Sequence, residues 1–440
     1  MIVLKFGGTS VGSAKNIKKV VEVITNNKAP KIVVLSAVSG TTNSLLSLVD
    51  AIKSNQLNEA LELMSFIEKK HQQLINELFT SSLYKDKALL FVLEKFNSLR
   101  GLTKADANLE NRIVALGEIL STHIVALFLE ESNIHSALIS ALDFMIIDKE
   151  GEPSVSKIKE NLSRIINQQS TVTTWITQGF ICRNEKGELA NLQRGGSDYT
   201  ASLIGAAIRA DEIQIWTDID GMHNNDPRYV QNTFSINEIS FDEAAELAYF
   251  GAKILHPLSL IPAKDNNIPV LLKNTFNPFS EGTIIKNKTV QKGITAIAAK
   301  DGITAIKIKS YRMLMAYGFL KKVFEVFEKN QTPIDMITTS EVAVSLTIDN
   351  GSKVNAIVSE LENYGKVVVD NNLSIICVAG DFSQDNEGIS AQVFSSLKHI
   401  PVRMISYGGS NYNMSLLVKS TDKKRALNSL NKGLFKEQTF

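Results

Sequence analysis

Residues 2–13 read IVLKFGGTSVGS, an apolar strand that breaks at two glycines before the chain turns into a helix. After Ser13, apolar residues recur at helical spacing over residues 17–24, and a second apolar run covers residues 32–38. A strand, a helix and a second strand in this order form a βαβ unit, in which the two strands lie parallel. The stretch therefore predicts an α/β fold built on a mainly parallel sheet.

The same alternation of short apolar runs and helical segments continues through the first two thirds of the chain. Further buried strands are predicted at Ile213–Trp216 and Ile268–Leu272. Between them, Ser240 and Glu243 have the spacing of a capping box, and Gly251 suits a helix C-cap. We expect a helix between these signals.

An internal repeat begins after about residue 290. Pro333 recurs as Pro401, 68 positions later, and Ile348 recurs as Val418, 70 positions later. A repeat of this length exceeds a solenoid unit and indicates a duplicated small domain, here two ferredoxin-like α+β modules. We expect one domain over residues 1–290 and a tandem pair over 291–440, the first module at about 301–373 and the second at about 374–440, with 291–300 as a candidate completion of the second.

The composition excludes several classes of protein. The 47 Lys and Arg residues nearly balance the 46 Asp and Glu residues, so the formal charge of +1 predicts no nucleic-acid or membrane partner. The N-terminal stretch meets Lys5 too early to form a signal peptide, and Glu118 interrupts the longest apolar run. Cys182 and Cys377 stand far apart without metal-ligand spacing. We expect a cytoplasmic protein whose binding of anions is local.

Two glycine loops precede predicted helices. Gly7 and Gly8 in the first loop, and Gly195 and Gly196 in the second, place backbone N–H groups where they can face an anion. The first loop is not a Walker A motif, because Ser13 stands where that motif requires lysine. For a glycine pair alone, a tight turn between a strand and a helix is the simpler interpretation.

Acidic residues follow the second glycine loop and a later strand. Asp198 lies near a predicted helix start, where the helix dipole favours a carboxylate. Residues 216–221 (WTDIDG) and 226–228 (DPR) follow a strand, the place where ligands bind in open α/β sheets. Taken alone, the segments after the strand are more simply explained as a polar turn. Two glycine loops that open two helices nevertheless indicate two anionic groups to be held.

Several motifs together resemble the amino-acid kinase family, and within it the aspartate kinases. The resemblance extends over nearly the whole chain and implies a three-layer sandwich with a mainly parallel sheet, followed by two ferredoxin-like ACT modules of the lysine-sensitive class. The matching segments are KFGGTSV at 5–11, Gly117-Glu118, RGGSDYTA at 194–201, WTD at 216–218, DPR at 226–228, FGAKILHP at 250–257, GFLKKVFEVF at 318–327 and DMITTSE at 335–341.

The resemblance implies transfer of the γ-phosphoryl group of ATP to the β-carboxylate of L-aspartate, the first step toward lysine, threonine and methionine. A carboxylate with a reference pKa of about 3.9 is already ionised at neutral pH, so the nucleophile needs no general base. Catalysis must instead overcome repulsion between two anions, by positioning and positive charge. Mg²⁺ is expected on the ATP phosphates, without a dedicated protein metal site.

The same resemblance implies roles for individual residues. Lys5 is expected to stabilise the transferred phosphoryl group, and Asp198 to orient Lys5. Arg194 is expected to bind the α-carboxylate of aspartate, which suits a guanidinium, and Glu118 the α-ammonium. Further expected contacts are Ser36, Thr42, Phe180 and Ser197 for the substrate, and Lys5, Phe6, Gly7, Gly8, Thr217, Asp218, His223, Arg228, Lys253 and Ile254 for the nucleotide.

The tail is expected to bind an amino-acid effector, with lysine favoured and threonine the alternative. Met315 departs from a histidine of lysine-inhibited relatives, Gln193 departs from a glycine, and His223 departs from a common tyrosine. For His223, a solvated side chain is as simple an interpretation as nucleotide contact. The expected effector contacts are Met313, Gly318, Phe319, Leu320, Asp335, Thr339, Ser340 and Glu341.

Two other functions compete with this interpretation. An amino-acid kinase with another acceptor is disfavoured by Glu118, since an acylated substrate has no ammonium group. A non-catalytic sensor of nucleotide and amino acid is disfavoured by the presence of both Lys5 and Asp198. We expect no homoserine dehydrogenase, because no GxGxxG follows a strand in the second half. The ACT modules predict a homodimer or homotetramer through exposed sheet edges.

Overall fold

The structure is a computed structural model, which describes residues 1–101, 108–192, 195–251, 255–287, 293–313, 317–383 and 387–435. The chain divides into two compact units, each described by itself. Five residues named above lie outside the described residues, namely Gln193, Arg194, Lys253, Ile254 and Met315. The first unit comprises residues 1–222, 237–241 and 255–289, and the second comprises residues 223–236, 242–254 and 290–440.

The first unit is built on an eight-stranded sheet and a two-stranded hairpin. The strands are β1 (Ile2–Phe6), β2 (Lys31–Leu35), β3 (Ala137–Leu138), β4 (Thr174–Gln178), β5 (Ile181–Arg183), β6 (Leu189–Asn191), β7 (Ile213–Thr217), β8 (Glu238–Ser240), β9 (Val270–Asn274) and β10 (Thr283–Lys286). The large sheet has the order β3-β4-β2-β1-β7-β9-β10-β8. Its neighbours are parallel except β9 and β10, which confirms the mainly parallel sheet.

Helices follow most of these strands, and one of them continues into the second unit. They are α1 (Ala14–Asn26), α2 (Thr41–Lys53), α3 (Leu57–Leu78), α4 (Ser82–Arg100), α5 (Leu109–Val114), α6 (Leu116–Glu131), α7 (Val155–Gln168), α8 (Gly196–Ile208), α9 (Phe241–Tyr249) and α10 (Ile261–Asp265). In α9, the residues after Phe241 group with the second unit.

The first βαβ unit forms as its sequence predicts. All five residues of β1 are buried, and Ser13 caps α1 by accepting a hydrogen bond from the backbone N–H of Asn16. The second strand ends earlier than the apolar run, because β2 stops at Leu35. Residues 36–40 leave the sheet as a loop, which places them at the end of the strand where ligands bind.

The most apolar helical segment belongs to the core. Among the described residues, Leu109–Glu131 is the one segment long and apolar enough to cross a membrane, and 83% of its most apolar window is buried inside the protein. Helix α6 packs its buried residues Leu120, Ile124 and Val125 into the same core as β1 and β2. This burial explains the high hydropathy without a membrane.

The second unit contains one antiparallel sheet of six strands with helices packed against it. Its elements are β11 (Ile294–Lys309), α11 (Phe319–Lys329), β12 (Ile337–Ser340), β13 (Ala343–Ile348), α12 (Val354–Leu361), β14 (Lys366–Gly380), α13 (Ile389–Ser396), β15 (Met404–Tyr407), β16 (Asn413–Lys419) and α14 (Lys423–Leu434).

The two predicted modules share this sheet. Its strand order is β12-β13-β11-β14-β16-β15, in which β11 pairs with both β13 and β14. Ile306 of β11 lies in a core with α11, whereas Ile297 of the same strand lies in a core with α13 and α14.

Candidate active site

Lys5 reaches the end of β1 as a buried cation, with 9% of its surface exposed. Its Nζ lies 2.7 Å from Oδ1 of Asp198, in the first turn of α8. Gly195 and Gly196 enter this helix with φ of +71° and +50°, a left-handed conformation that glycine adopts without strain. The second glycine loop therefore turns Asp198 toward Lys5 across the unit.

The first glycine loop follows β1 and forms a hydrogen bond to the neighbouring strand β7. The backbone N–H of Gly7 donates to the carbonyl of Trp216 at 3.2 Å, which sets Gly7 and Gly8 beside the end of β7. Phe6 is fully buried and stacks on Trp216 with ring centroids 5.9 Å apart. The Phe6 side chain therefore belongs to the apolar core, where its ring packs against Trp216 of the neighbouring strand β7.

A cavity of about 430 Å³ opens at the end of β2. It brings together five of the six predicted substrate residues, which are distant in sequence. The sixth, Arg194, lies outside the described residues. The lining residues are Gly8, Ser36, Ala37, Val38, Ser39, Gly40, Thr42, Asn43, Glu118, Phe180, Gly196 and Ser197.

Among the residues that the structure describes, Glu118 is the one charged residue in this lining. Its Oε1 accepts a hydrogen bond from the Ala37 N–H at 3.3 Å, whereas Oε2 is buried and has no hydrogen-bond partner among the described residues. Burial raises the pKa of Glu118 to about 7, although the Ala37 hydrogen bond opposes this shift. A buried carboxylate oxygen without a partner among the described residues suits a cationic ligand group.

The helix that carries Glu118 is held close to the loop after β2. Ser121 Oγ donates to the Ser36 carbonyl at 2.6 Å. A Cβ atom on Gly117 would lie 2.7 Å from Cβ of Ala37, closer than real side chains approach. Glycine at this position is therefore what allows Glu118 to reach the Ala37 backbone.

Phe180 enters the cavity wall in an unusual conformation. Its φ is +68°, which is uncommon for a bulky residue. Its N–H donates to Thr200 Oγ1 at 2.8 Å, and its carbonyl accepts from the Leu192 N–H at 2.7 Å. These bonds over-determine the conformation, as is typical of a functional site.

The predicted nucleotide residues fall in both units. In the first unit, Thr217 ends β7, and its hydroxyl donates to Asp218 Oδ1 at 3.1 Å. His223 and Arg228 lie in the second unit. His223 Nδ1 is 3.1 Å from Thr233 Oγ1, and Arg228 binds the Asp226 carboxylate at 2.7 Å.

The predicted effector residues lie in the second unit. Asp335 is buried and accepts hydrogen bonds from Lys300 Nζ and from the Tyr249 hydroxyl, both at 2.9 Å. Lys300 also binds Asp349 at 2.8 Å. Burial, followed by the charge of Asp335, raises the pKa of Tyr249 to about 12. Asp335 is thus already engaged through Oδ1, while its Oδ2 has no hydrogen-bond partner among the described residues.

The other effector candidates are spread along the first module. Gly318 is the left-handed N-cap of α11, Phe319 lies in the apolar core beneath that helix, and Leu320 is partly exposed. Met313 packs against the same core, and Glu341 is exposed after β12. A separate cavity of about 350 Å³ is lined by Thr339 and Ser340 together with Lys307, Arg403 and their neighbours.

Sequence reasoning missed part of the cavity wall. Ser39, Gly40 and Asn43 belong to the run SAVSGTTN at 36–43, whose small polar residues after a strand are a detectable signal. Lys70 also reaches this wall, by donating from α3 to the Ser39 carbonyl. No local pattern distinguishes Lys70 from other helix-surface lysines.

Comparisons with known proteins show the family of this chain. The amino acid kinase family matches residues 1–274, and an ACT domain matches residues 376–434. Lysine-sensitive aspartokinase 3 of Escherichia coli is 32% identical, with 99% of each chain covered. Crystal structures of E. coli aspartokinase III, one with aspartate and ADP and one with lysine and aspartate, give TM-scores of 0.82 and 0.83, each at 31% identity over 99% of this chain and 100% of that chain. The chain therefore belongs to the amino acid kinase family, and within that family to the aspartokinases.

Proposed function

We propose that this protein transfers the γ-phosphoryl group of ATP to the β-carboxylate of L-aspartate, forming 4-phospho-L-aspartate and ADP. The observation that carries this proposal is the cavity lined by Glu118, whose Oε2 is buried without a hydrogen-bond partner among the described residues, next to the glycine loops that also flank the Lys5–Asp198 ion pair. Aspartate and ADP are the ligands of the similar E. coli enzyme. The product is an activated acyl phosphate, the first intermediate toward lysine, threonine and methionine.

The reaction needs positive charge rather than a base. An oxygen of the β-carboxylate attacks the γ-phosphorus, the bond from that phosphorus to the bridging oxygen of ADP breaks, and no proton moves. Lys5 neutralises charge on the transferred group, with the N–H groups of Gly7 and Gly8 beside it. Asp198 holds Lys5 in place through their 2.7 Å ion pair.

The substrate groups divide between two charged residues. Glu118 pairs with the α-ammonium, because its Oε2 is buried without a partner among the described residues. Arg194 binds the α-carboxylate, which matches a guanidinium in shape and charge. The remaining contacts come from Ser36, Thr42, Phe180 and Ser197, all of which line the cavity.

ATP enters as its magnesium complex. The described residues contain no group of three or more His, Cys, Asp or Glu side chains suited to a metal ion. We assign the magnesium ion to phosphate oxygens and water rather than to a dedicated protein site. The residues we assign to the nucleotide are Lys5, Phe6, Gly7, Gly8, Thr217, Asp218, His223, Arg228, Lys253 and Ile254, and the Phe6 side chain contributes by packing in the core of the first unit.

We assign residues 1–290 to catalysis and 291–440 to tandem ACT modules that bind an inhibitory amino acid. Lysine is the favoured effector, since the similar E. coli enzyme is lysine-sensitive and binds lysine. Strands β12 and β15 lie at the two edges of the six-stranded sheet, and edge strands of this kind suit assembly into a homodimer or homotetramer. We place the enzyme in the cytoplasm.

The test is a hydroxamate assay of acyl phosphate formed from Mg·ATP and L-aspartate, with and without L-lysine or L-threonine. Lys5→Met should lower kcat by about a thousandfold or more, because it removes charge used mainly in the transition state. Lys15→Met, an exposed lysine on α1, is the matched control. Absence of product would point to another acceptor or to a sensor, and normal turnover of Lys5→Met would overturn the mechanism.

A further inference from the structure

Lys70 is a cation at the wall of the substrate cavity. It projects from α3, is half-buried, and donates a hydrogen bond from Nζ to the Ser39 carbonyl. A Cβ atom on Gly40 would lie 3.6 Å from the same Nζ. Both Ser39 and Gly40 line the cavity, so the ammonium group stands directly behind its wall.

No carboxylate neutralises this ammonium group within the part of the chain that the structure describes. Lys53, Lys286 and Lys329 each pair with a glutamate, whereas the hydrogen bond of Lys70 goes to a backbone carbonyl. Burial lowers the pKa of Lys70, as expected for a cation that loses water without gaining a counter-charge. An anion bound nearby would supply the counter-charge that the Lys70 ammonium group lacks.

The same wall contains the start of α2. This helix begins at Thr41 after the left-handed Gly40, with no side-chain cap and no acidic residue in its first turn. Thr42 and Asn43 of that turn line the cavity. The positive end of the helix dipole and Lys70 therefore act on the same side of the cavity.

A substrate with two carboxylates binds better where the cavity has such positive charge. Among the described lining residues the one charged side chain is the acidic Glu118, whose Oε2 is buried without a hydrogen-bond partner there, whereas the substrate proposed above carries two carboxylates and one ammonium group. Lys5 is already paired with Asp198. Arg194, which lies outside the described residues, is assigned to the α-carboxylate, so the β-carboxylate is the group that a further cation near the cavity would balance.

We propose that Lys70 is a substrate-positioning residue. Its ammonium group fixes the backbone of Ser39 and Gly40 and, with the first turn of α2, supplies the positive potential that holds a carboxylate of the amino-acid substrate. This inference rests on the proposed function and specifies the basis of selectivity for a dicarboxylate. Ser39 transmits the effect, because its N–H also donates to the Gly8 carbonyl at 3.1 Å and so ties the wall to the first glycine loop.

Three substitutions separate charge from hydrogen bonding. Lys70→Met removes both at similar length, Lys70→Gln keeps an N–H donor without charge, and Lys70→Arg keeps both. Lys69→Met, at the exposed neighbouring position, is the control. For each variant, we would measure the aspartate Kd by calorimetry, the KM values for aspartate and ATP, kcat and Tm.

Lys70→Met and Lys70→Gln should raise the aspartate Kd and KM about tenfold, equivalent to about 1.4 kcal/mol. The kcat and the KM for ATP should stay within about twofold, and Lys70→Arg and Lys69→Met should match the wild type. The salt dependence of aspartate binding should also weaken in Lys70→Met, because a charge is lost. If Lys70→Met fails to fold, the aspartate Kd and KM of Lys70→Gln are compared with those of the wild type instead.

Several results would overturn the inference. An unchanged aspartate Kd in folded Lys70→Met, wild-type binding by Lys70→Gln, or a change confined to ATP or kcat would each do so. Failure of the proposed function is distinguishable from these results. A wild type that binds aspartate through Lys70 without phosphorylating it would overturn the reaction alone, whereas an active enzyme with Lys70-independent affinity would overturn the Lys70 role alone.

Discussion

Glu118 should release a proton when aspartate binds. The pKa of the buried group in the empty cavity is about 7, so about half of the molecules carry a proton there at pH 7. Pairing with an ammonium group requires the ionised carboxylate and lowers this pKa. Aspartate binding should therefore release about 0.5 proton at pH 7, close to one at pH 6 and almost none at pH 9.

The affinity should follow the ionised fraction. Between pH 6 and pH 8, this fraction of Glu118 rises about tenfold, so the aspartate Kd should fall about tenfold and then level off. In the empty protein, the raised pKa has the opposite consequence for stability. The cost of the buried charge is absent below about pH 4.5 and reaches about 3 kcal/mol above pH 7, so stability falls as pH rises through this window.

Calorimetry in two buffers of different ionisation enthalpy measures the released protons directly. Glu118→Gln should bind aspartate at least about tenfold more weakly, release no proton at any pH, and raise the Tm of the empty protein at pH 8 but not at pH 5. Glu130→Gln, which removes an exposed carboxylate from the same helix α6, is the control. Binding by the wild type at pH 6 without proton release, or undiminished release in Glu118→Gln, would refute the reasoning.

Two further substitutions test the wall of the cavity and the second unit. Gly117→Ala places a Cβ atom 2.7 Å from that of Ala37, so the free energy of unfolding should fall by about 1–3 kcal/mol and the Tm should fall with it. The aspartate KM should rise, because the helix that carries Glu118 is displaced. An unchanged KM would show that the position of this helix does not affect aspartate binding. Asp335→Asn removes the charge that binds Lys300 and Tyr249, so inhibition by L-lysine should weaken at least about tenfold in the activity assay. Asp349→Asn, which removes the charge of the more exposed partner of Lys300, is the control and should leave inhibition by L-lysine unchanged. Equal inhibition of the wild type and Asp335→Asn would exclude Asp335 from the effector response.

Local periodicity was sufficient for several elements of the fold. The buried strand at residues 2–6, the helix after Ser13 and the repeated helix-and-strand pattern of the tail all form as predicted. The end of β2 at Leu35 was not predictable, because Ala37 and Val38 are as apolar as strand residues. They are buried against the Glu118 helix and the glycine loop, and only those long-range neighbours distinguish a buried loop from a strand.

The sharing of one sheet by the two modules was also beyond the sequence. The repeat predicts two separate units, since each copy contains its own helix and strands. In the structure, β11 and β14 are long enough to pair with each other and with a strand of their respective modules. Pairing along a shared edge depends on strand length and twist rather than on any pattern within one copy.

The residue types at the site can be read from the chain itself. Lys5 at a strand end, the two glycine loops and Asp198 at a helix start are properties of consecutive residues, and their spacing follows from strand and helix geometry. The electrostatic state of these groups depends on which distant segments surround them. The 2.7 Å pairing of Lys5 with Asp198, the pKa of about 7 at Glu118 and the position of Lys70 behind Ser39 arise from contacts between remote segments, because desolvation and Coulomb interactions act through space rather than along the chain.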